Sequence, residues 1–430
     1  MVGGHGNRAG LVVLVAISAV DCAAHSMNSL GPFAVGELVR GGRFSIMQAG
    51  VWSSVEMLAY AVAMTAVAPL SARLRLRFVA VLAAVGLVGA QAGSAFVVGL
   101  WPLLVLRVLS GGCLGGLNAV VNIGASRLGR PVFVLSFVMV VQTVVFSLAS
   151  LLLPHASAIA GQRGVFLALA GLVVLLLPFM FFLPDTNVAH TPAPPQARYA
   201  TPPGLAHVWA LLAVLFYTGG SLAVWPFTQR IGASVGLAPA SFGVLSAIAN
   251  IAGLAVCLVT VVQSRRHNTS PFLVPALVLV GGVCVVQACP PAPMLFCAAF
   301  VLNYAVWFFI YPSLVGLTCL VDPTGKLAAR SGGAWMFSQA GTTLFASATQ
   351  TNGLYLWTGL FSLCLCLCAA FATLRVTPAP TPAAPPYGPH RNGPATPHVA
   401  PVRSRAGAAP NTAHMGKAGH KPPCPARLRI

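Results

Sequence analysis

The sequence predicts an all-α integral membrane protein of twelve spanning helices, and three observations carry that prediction. Of its 430 residues, 57% are hydrophobic and 7% charged, with a mean hydropathy of +0.85, whereas a soluble domain is about a quarter charged. Apolar runs of about 20 residues, the length that crosses a bilayer as a helix, recur along nearly the whole chain. Charge falls mainly at the short interruptions between them, which are Pro/Gly clusters or Arg pairs.

Taken in order, the runs lie at 10–37, 45–70, 78–98, 100–125, 132–154, 164–184, 207–234, 240–263, 272–289, 293–318, 329–350 and 353–375. The first follows Arg8 and resembles a signal peptide in "LVVLVAISAV". No small-residue cleavage pattern follows, and the apolar pattern continues past Asp21 and Cys22, so it is read as an uncleaved helix. The longest break, 184–204, carries six prolines and cannot be helical. It makes 185–206 the cytoplasmic linker between an N-terminal six-helix bundle, 1–184, and a C-terminal one, 207–375. Residues 376–430, rich in Pro and Ala and basic, are read as a disordered cytoplasmic tail.

A net charge of +19 would suggest nucleic acid in a soluble protein, but here most Lys and Arg sit in loops and in the tail, where they set topology. No aromatic-plus-basic nucleic-acid module is visible. With the N-terminus cytoplasmic, the inner segments before the tail hold Arg8, Arg73, Arg75, Arg77, Arg127, Arg130, Arg198, Arg265, Arg266, Lys326 and Arg330; the outer loops hold Arg40, Arg43 and Arg163. Both termini therefore face the cytoplasm, with the cell's inner (plasma) membrane as the expected location. The eleven cysteines lie mostly inside apolar runs, and Cys364, Cys366 and Cys368 are spaced to scatter around a helix instead of converging on a metal.

The two halves repeat weakly. Gly50 aligns with Gly243, matching "GVWSS" to "GVLSA", Ala59 to Ala252 and Arg73 to Arg266; Pro32-Phe33 answers Pro226-Phe227. With the central linker and equal helix counts, this favours a parallel duplication around a midplane site.

On these residues the chain resembles the major facilitator superfamily across about residues 10–375. "PLSARLRLRF" occupies the loop between helices 2 and 3, where the family usually has a glycine-started motif bearing Asp and Arg; Arg73, Arg75 and Arg77 are kept, with Ala72 near the usual acid. "SRRHN" takes the equivalent loop of the second half, and "RVLSGGCLGG" is similar to the family's fourth-helix pattern of an arginine followed by small residues. The resemblance implies two pseudo-symmetric six-helix bundles and secondary transport by alternating access.

Five acids exist: Asp21, Glu37, Glu56, Asp185 and Asp322. Asp21 and Glu56 each lie about 11 residues into a helix, roughly 15 Å deep, near the midplane. Arg107 lies about seven residues into helix 4. Unpaired charges at such depths cost about 2.5 kcal/mol or more, so the economical arrangement has Asp21, Glu56 and Arg107 facing one cavity as a proton-coupling charge network. Plainer readings stand beside it: Glu56 as a buried, protonated hydrogen-bonder, Asp21 as a local pair with His25, and Arg107 snorkelling along its helix. Glu37 reads as a solvated loop charge beside Arg40. Gly111, Gly112, Gly115 and Gly116 form small-xxx-small pairs for close helix packing.

The second half lacks counterpart acids; Leu215 and Ala249 fall opposite Asp21 and Glu56, and Phe300 opposite Arg107. Helices 7 and 10 offer aromatics and amides instead. His25, Gln142, Tyr217, Asn303, Tyr304, Trp307 and Gln339 are accordingly the candidate cavity lining, while Trp225 and Tyr311 also suit a membrane-interface belt. The expected function is proton-coupled transport of a small organic solute, which Arg107 suggests is anionic, by a monomer with no cofactor or metal. Alternatives are proton-driven efflux of a hydrophobic compound, disfavoured by a fifth helix without the usual glycines, and a non-transporting membrane sensor or scaffold. No nucleophile, metal-ligand or phosphate-loop constellation marks an enzyme.

Overall fold

The computed structural model describes residues 4–42, 44–67, 75–127, 131–184, 204–264, 272–322, 326–350 and 355–376. The predicted linker between 185 and 203, the tail from 377, and Arg43, Ala72, Arg73, Arg130, Asp185, Arg198, Arg265 and Arg266 lie outside them, as do the side chains of Arg8, Arg127 and Lys326.

All regular structure among the described residues is helical. The elements are α1 (Gly4–Arg40), α2 (Ile46–Val67), α3 (Leu76–Phe96), α4 (Leu100–Arg127), α5 (Pro131–Met180), α6 (Leu205–Leu222), α7 (Thr228–Ser234), α8 (Pro239–Ser264), α9 (Leu273–Ala288), α10 (Pro293–Val321), α11 (Lys326–Thr349) and α12 (Leu356–Arg375). Each of the twelve apolar runs is helical over most of its described residues, with a few residues at some run ends outside the helix. Nine helices among those residues are long and apolar enough to cross a membrane. Lipid offers the backbone no hydrogen bonds, so a spanning segment must satisfy its own, which a helix does.

Two runs depart from simple helices. The fifth and sixth form one element, α5, broken only at Ala160 and at Gly161, whose φ of 55° suits glycine. A Cβ on Gly164 would collide with the Ala156 carbonyl, although a continuous helix would hold residues eight apart about 12 Å from each other. The chain therefore folds back sharply here, and the two arms of α5 are separate passes. The seventh run divides at Pro226 into α6, a 3-10 turn (Trp225–Phe227) and α7.

The described residues form one compact unit. Within it α1 packs on α4 and α5, α2 on α4, and α3 on α4 and α5; α6, α8, α9, α10, α11 and α12 pack among themselves. The two groups meet where α2 lies along α11, α5 along α8, and α1 against the 3-10 turn and α7. Glycines admit these approaches. A methyl group at Gly50 would run into Ser347 of α11, and one at Gly243 into the Ser150 carbonyl and Pro154 of α5. These two glycines are the pair that the internal repeat aligns, so the seams are built alike. α11 is the most polar long helix because Ser331, Ser338, Gln339, Thr343 and Ser347 turn inward along it.

Candidate functional site

The deepest polar group lies within the first half. Gly111 and Gly115 of α4 press against the α2 backbone at Glu56 and Tyr60, where any Cβ would clash. One turn before Gly111, Arg107 is thereby carried to Glu56: its Nη1 donates to Glu56 Oε1 at 2.9 Å, with side-chain exposures of 0% and 1%. The other guanidinium arm donates to Ser94 Oγ at 2.6 Å and to Gln91 Oε1 at 3.2 Å, both on α3. Ser110 Oγ donates to Glu56, and Gln91 Nε2 to Ser110 Oγ at 3.3 Å. The guanidinium carbon lies 4.8 Å from the Trp52 ring centre and 5.5 Å from that of Phe166. Taking two ions out of water costs several kcal/mol each, which a close pair offsets only when its remaining hydrogen-bonding positions are also filled. Here they largely are, and Arg107 does not snorkel.

The second half ties its equivalent three helices with neutral groups. Asn303 Nδ2 of α10 donates to Gln287 Oε1 of α9 at 2.7 Å, and Tyr304 Oη to Asn250 Oδ1 of α8 at 2.9 Å. Gln91 and Arg107 stand 16 residues apart, as do Gln287 and Asn303; Glu56 and Ser110 stand 54 apart, as do Asn250 and Tyr304. The spacings imply an offset of 196 for Gln91 and Arg107 but 194 for Glu56 and Ser110, although Arg107 and Ser110 share α4, so the two ties correspond helix by helix and not residue by residue.

Asp21 belongs elsewhere. It is buried, 6% exposed, and its Oδ1 lies 3.3 Å from His25 Nδ1 one turn along α1. The expected single chamber holding Asp21, Glu56 and Arg107 is therefore not what the structure builds: two of the three close on each other out of reach of water, and the third pairs with histidine. An enclosed, compensated Arg107 also offers no charge to an anionic solute.

From His25 a chain of rings crosses to the second half. His25 stacks on Trp335 of α11, centroids 6.2 Å apart, and Trp335 packs against Trp307 and Tyr311 of α10 at 5.2 and 5.0 Å. Trp307 lies between Tyr311 and Tyr217, at 5.0 and 5.3 Å. Tyr60 of α2 is fully buried. His25, Trp307 and Tyr311 keep partial exposure although they sit between helices. The indole Nε1 of Trp335 and the amide oxygen of Gln339, one turn further on α11, are buried without hydrogen-bond partners.

Of the predicted lining, His25, Tyr217 and Trp307 come together in this group, with Gln339 beside it. Asn303 and Tyr304 serve the α8–α9–α10 tie, and half-buried Gln142 on α5 joins neither. Trp225 and Tyr311 are interior, not belt residues: Trp225 stacks on Phe300 and Tyr304 and donates to the Asn28 carbonyl at 2.7 Å. Glu37 is likewise no solvated loop charge; it is 5% exposed within α1 and paired with Arg40 at 3.0 Å. Sequence reasoning missed Trp335 and Tyr60, which carry no charge, and Gln91 with Ser94, whose i, i+3 spacing in an apolar run was the available signal.

No family model and no curated protein sequence matches the chain. Solved structures do. The D-xylose-proton symporter superposes with a TM-score of 0.69 at 12% identity, over 86% of this chain and 97% of that one. The xylose transporter XylE from E. coli, in a partially occluded inward-open conformation, gives 0.67 at 11% over 86% and 98%. The nucleoside transporter NupG gives 0.61 at 14% over 86% and 98%. Each of these relatives in shape is a transporter by name, and at such identities the likeness is one of fold. The chain shares the all-helical fold of these transporters, and its long apolar helices suit a multi-pass membrane protein.

Proposed function

We propose that the protein is a proton-coupled secondary transporter of a small organic solute, working as a monomer by alternating access, with both termini cytoplasmic. The observation that carries this reading is the Asp21–His25 pair, a buried carboxylate beside a titratable ring, set against the aromatic group that joins the two halves. Histidine changes charge near neutral pH, and a carboxylate next to it holds or yields a proton according to what else neutralises it. His25 and Asp21 sit on α1, while Trp335, Trp307, Tyr311 and Tyr217 sit on helices of the other half. A proton gained or lost here changes a contact between the halves, which is what coupling requires.

With the N-terminus cytoplasmic, the glycine seams at Gly50 and Gly243 lie toward the outer face, where they hold α2 to α11 and α5 to α8. The Glu56–Arg107 group supports the reading differently, as a rigid brace that lets α2, α3 and α4 rock as one body.

Reconstituted protein with a pH dye trapped in the liposomes tests the proposal against a panel of small amines, acids, sugars and nucleosides. Proton movement dependent on at least one solute class is expected, and its loss in Asp21→Asn. Solute-driven proton movement that survives Asp21→Asn, or none with any class, would overturn it.

A further inference from the structure

We infer that the Asp21–His25 site takes a solute bearing a positive charge on an apolar body, an organic cation seated between the Asp21 carboxylate and the ring faces of Trp307, Tyr311 and Trp335. This rests on the reading of the protein as a transporter and names its substrate class. Three carboxylates are buried among the described residues: Glu37, Glu56 and Asp21. Glu37 has Arg40 and Glu56 has Arg107, but Asp21 has only a histidine. A buried carboxylate without a full cation is costly, and a proton or an arriving cation relieves that cost. Solute and proton would thus compete for one place.

The surroundings agree in sign. Aromatic faces are negative and attract cations, most strongly when water is excluded. Gln339 adds an unpartnered amide oxygen, an acceptor for an ammonium N–H. An anion would meet a carboxylate and the negative faces of rings, while the arginine that could have drawn it in is enclosed. The Asp21–His25 pair has no equivalent in the second half. Leu215 and Gly219 stand 194 residues after Asp21 and His25, whereas the polar tie of α2, α3 and α4 recurs in the second half. A feature absent from the shared framework is not needed for packing.

The test uses purified full-length protein, tryptophan fluorescence, and three matched probes: phenethyltrimethylammonium, whose charge is permanent, neutral 2-phenylethanol, and anionic 3-phenylpropionate. The cation is expected to quench fluorescence with an affinity at least about tenfold above the other two, and to lose at least about tenfold in Asp21→Asn. Trp335→Leu should weaken it by about threefold to thirtyfold, and Trp335→Phe, which keeps a π face, by less. The Trp335 variants keep the test decisive if Asp21→Asn does not fold. Equal binding of the three probes, or cation binding indifferent to Trp335→Leu, would overturn the proposal. Cation binding without proton movement in liposomes would leave this site standing and remove the transport reading; proton-coupled uptake of only neutral or anionic solutes would do the reverse.

Discussion

The two halves tie the same three helices together with different chemistry. In α2, α3 and α4 the tie is ionic, Glu56 with Arg107, Gln91, Ser94 and Ser110 around them. In α8, α9 and α10 it is built from amides and a phenol, Asn303 with Gln287 and Tyr304 with Asn250. Because neutral groups perform the task in one half, the charges of the other are not needed for the helices to pack. What the ionic version adds is intolerance: removing one member leaves a buried charge, while removing an amide leaves only an unpaired dipole.

Arg107→Ala breaks the comparison most severely. It should cost about 3–5 kcal/mol, read as a large fall in melting temperature of the purified protein, because Glu56 loses its counter-charge. Converting both partners to amides, Glu56→Gln with Arg107→Gln, copies the second half and should recover most of that loss; if the double variant is as unstable as the single one, the halves are not equivalent. The seams come next. Gly50→Val and Gly243→Val each overfill a closed approach and should cost about 1–3 kcal/mol, with matching increases in the reaction of an introduced outer-face cysteine, since both wedge the same side. Asn303→Leu, which removes a neutral member, should cost about 1–3 kcal/mol in the same melting assay and stay well below Arg107→Ala. Smallest is Glu37→Gln: Arg40 is more than half exposed, so the pair contributes about 0.2–1 kcal/mol at most, and a melting shift beyond a degree or two would contradict this ranking.

Much of the fold was legible in the sequence because lipid leaves a spanning segment few choices: length and hydropathy identified the runs, although the seventh was read as one helix and divides around Pro226. The turn at Ala160–Gly161 was not, since "SAIAGQRG" reads as an ordinary loop yet only two residues leave helical geometry. For the site, depth was legible and azimuth was not. Asp21 and Glu56 count to the same level, but which one faces Arg107 depends on the rotation of α1 and α2, and that is set by Gly111 and Gly115 admitting the α2 backbone. The aromatic group was half legible. Tyr217 and Trp307 stood out on their helices, but Trp335 joins them only through tertiary packing, and Tyr311 carries the same residue-type signal as an interfacial anchor.

The enclosure of Arg107 has a consequence for how the chain is made. Helices enter the bilayer in the order of translation, and an arginine well inside a spanning helix resists insertion by up to about 2.5–3.5 kcal/mol. Trp52, Glu56, Gln91 and Ser94 all precede Arg107 in the sequence, so by the time the fourth helix leaves the ribosome its receptacle is already waiting in the membrane. The least hydrophobic passenger boards after the side chains that accept its hydrogen bonds, and a nascent chain with α4 moved ahead of α2 would have to deliver that charge into bare lipid.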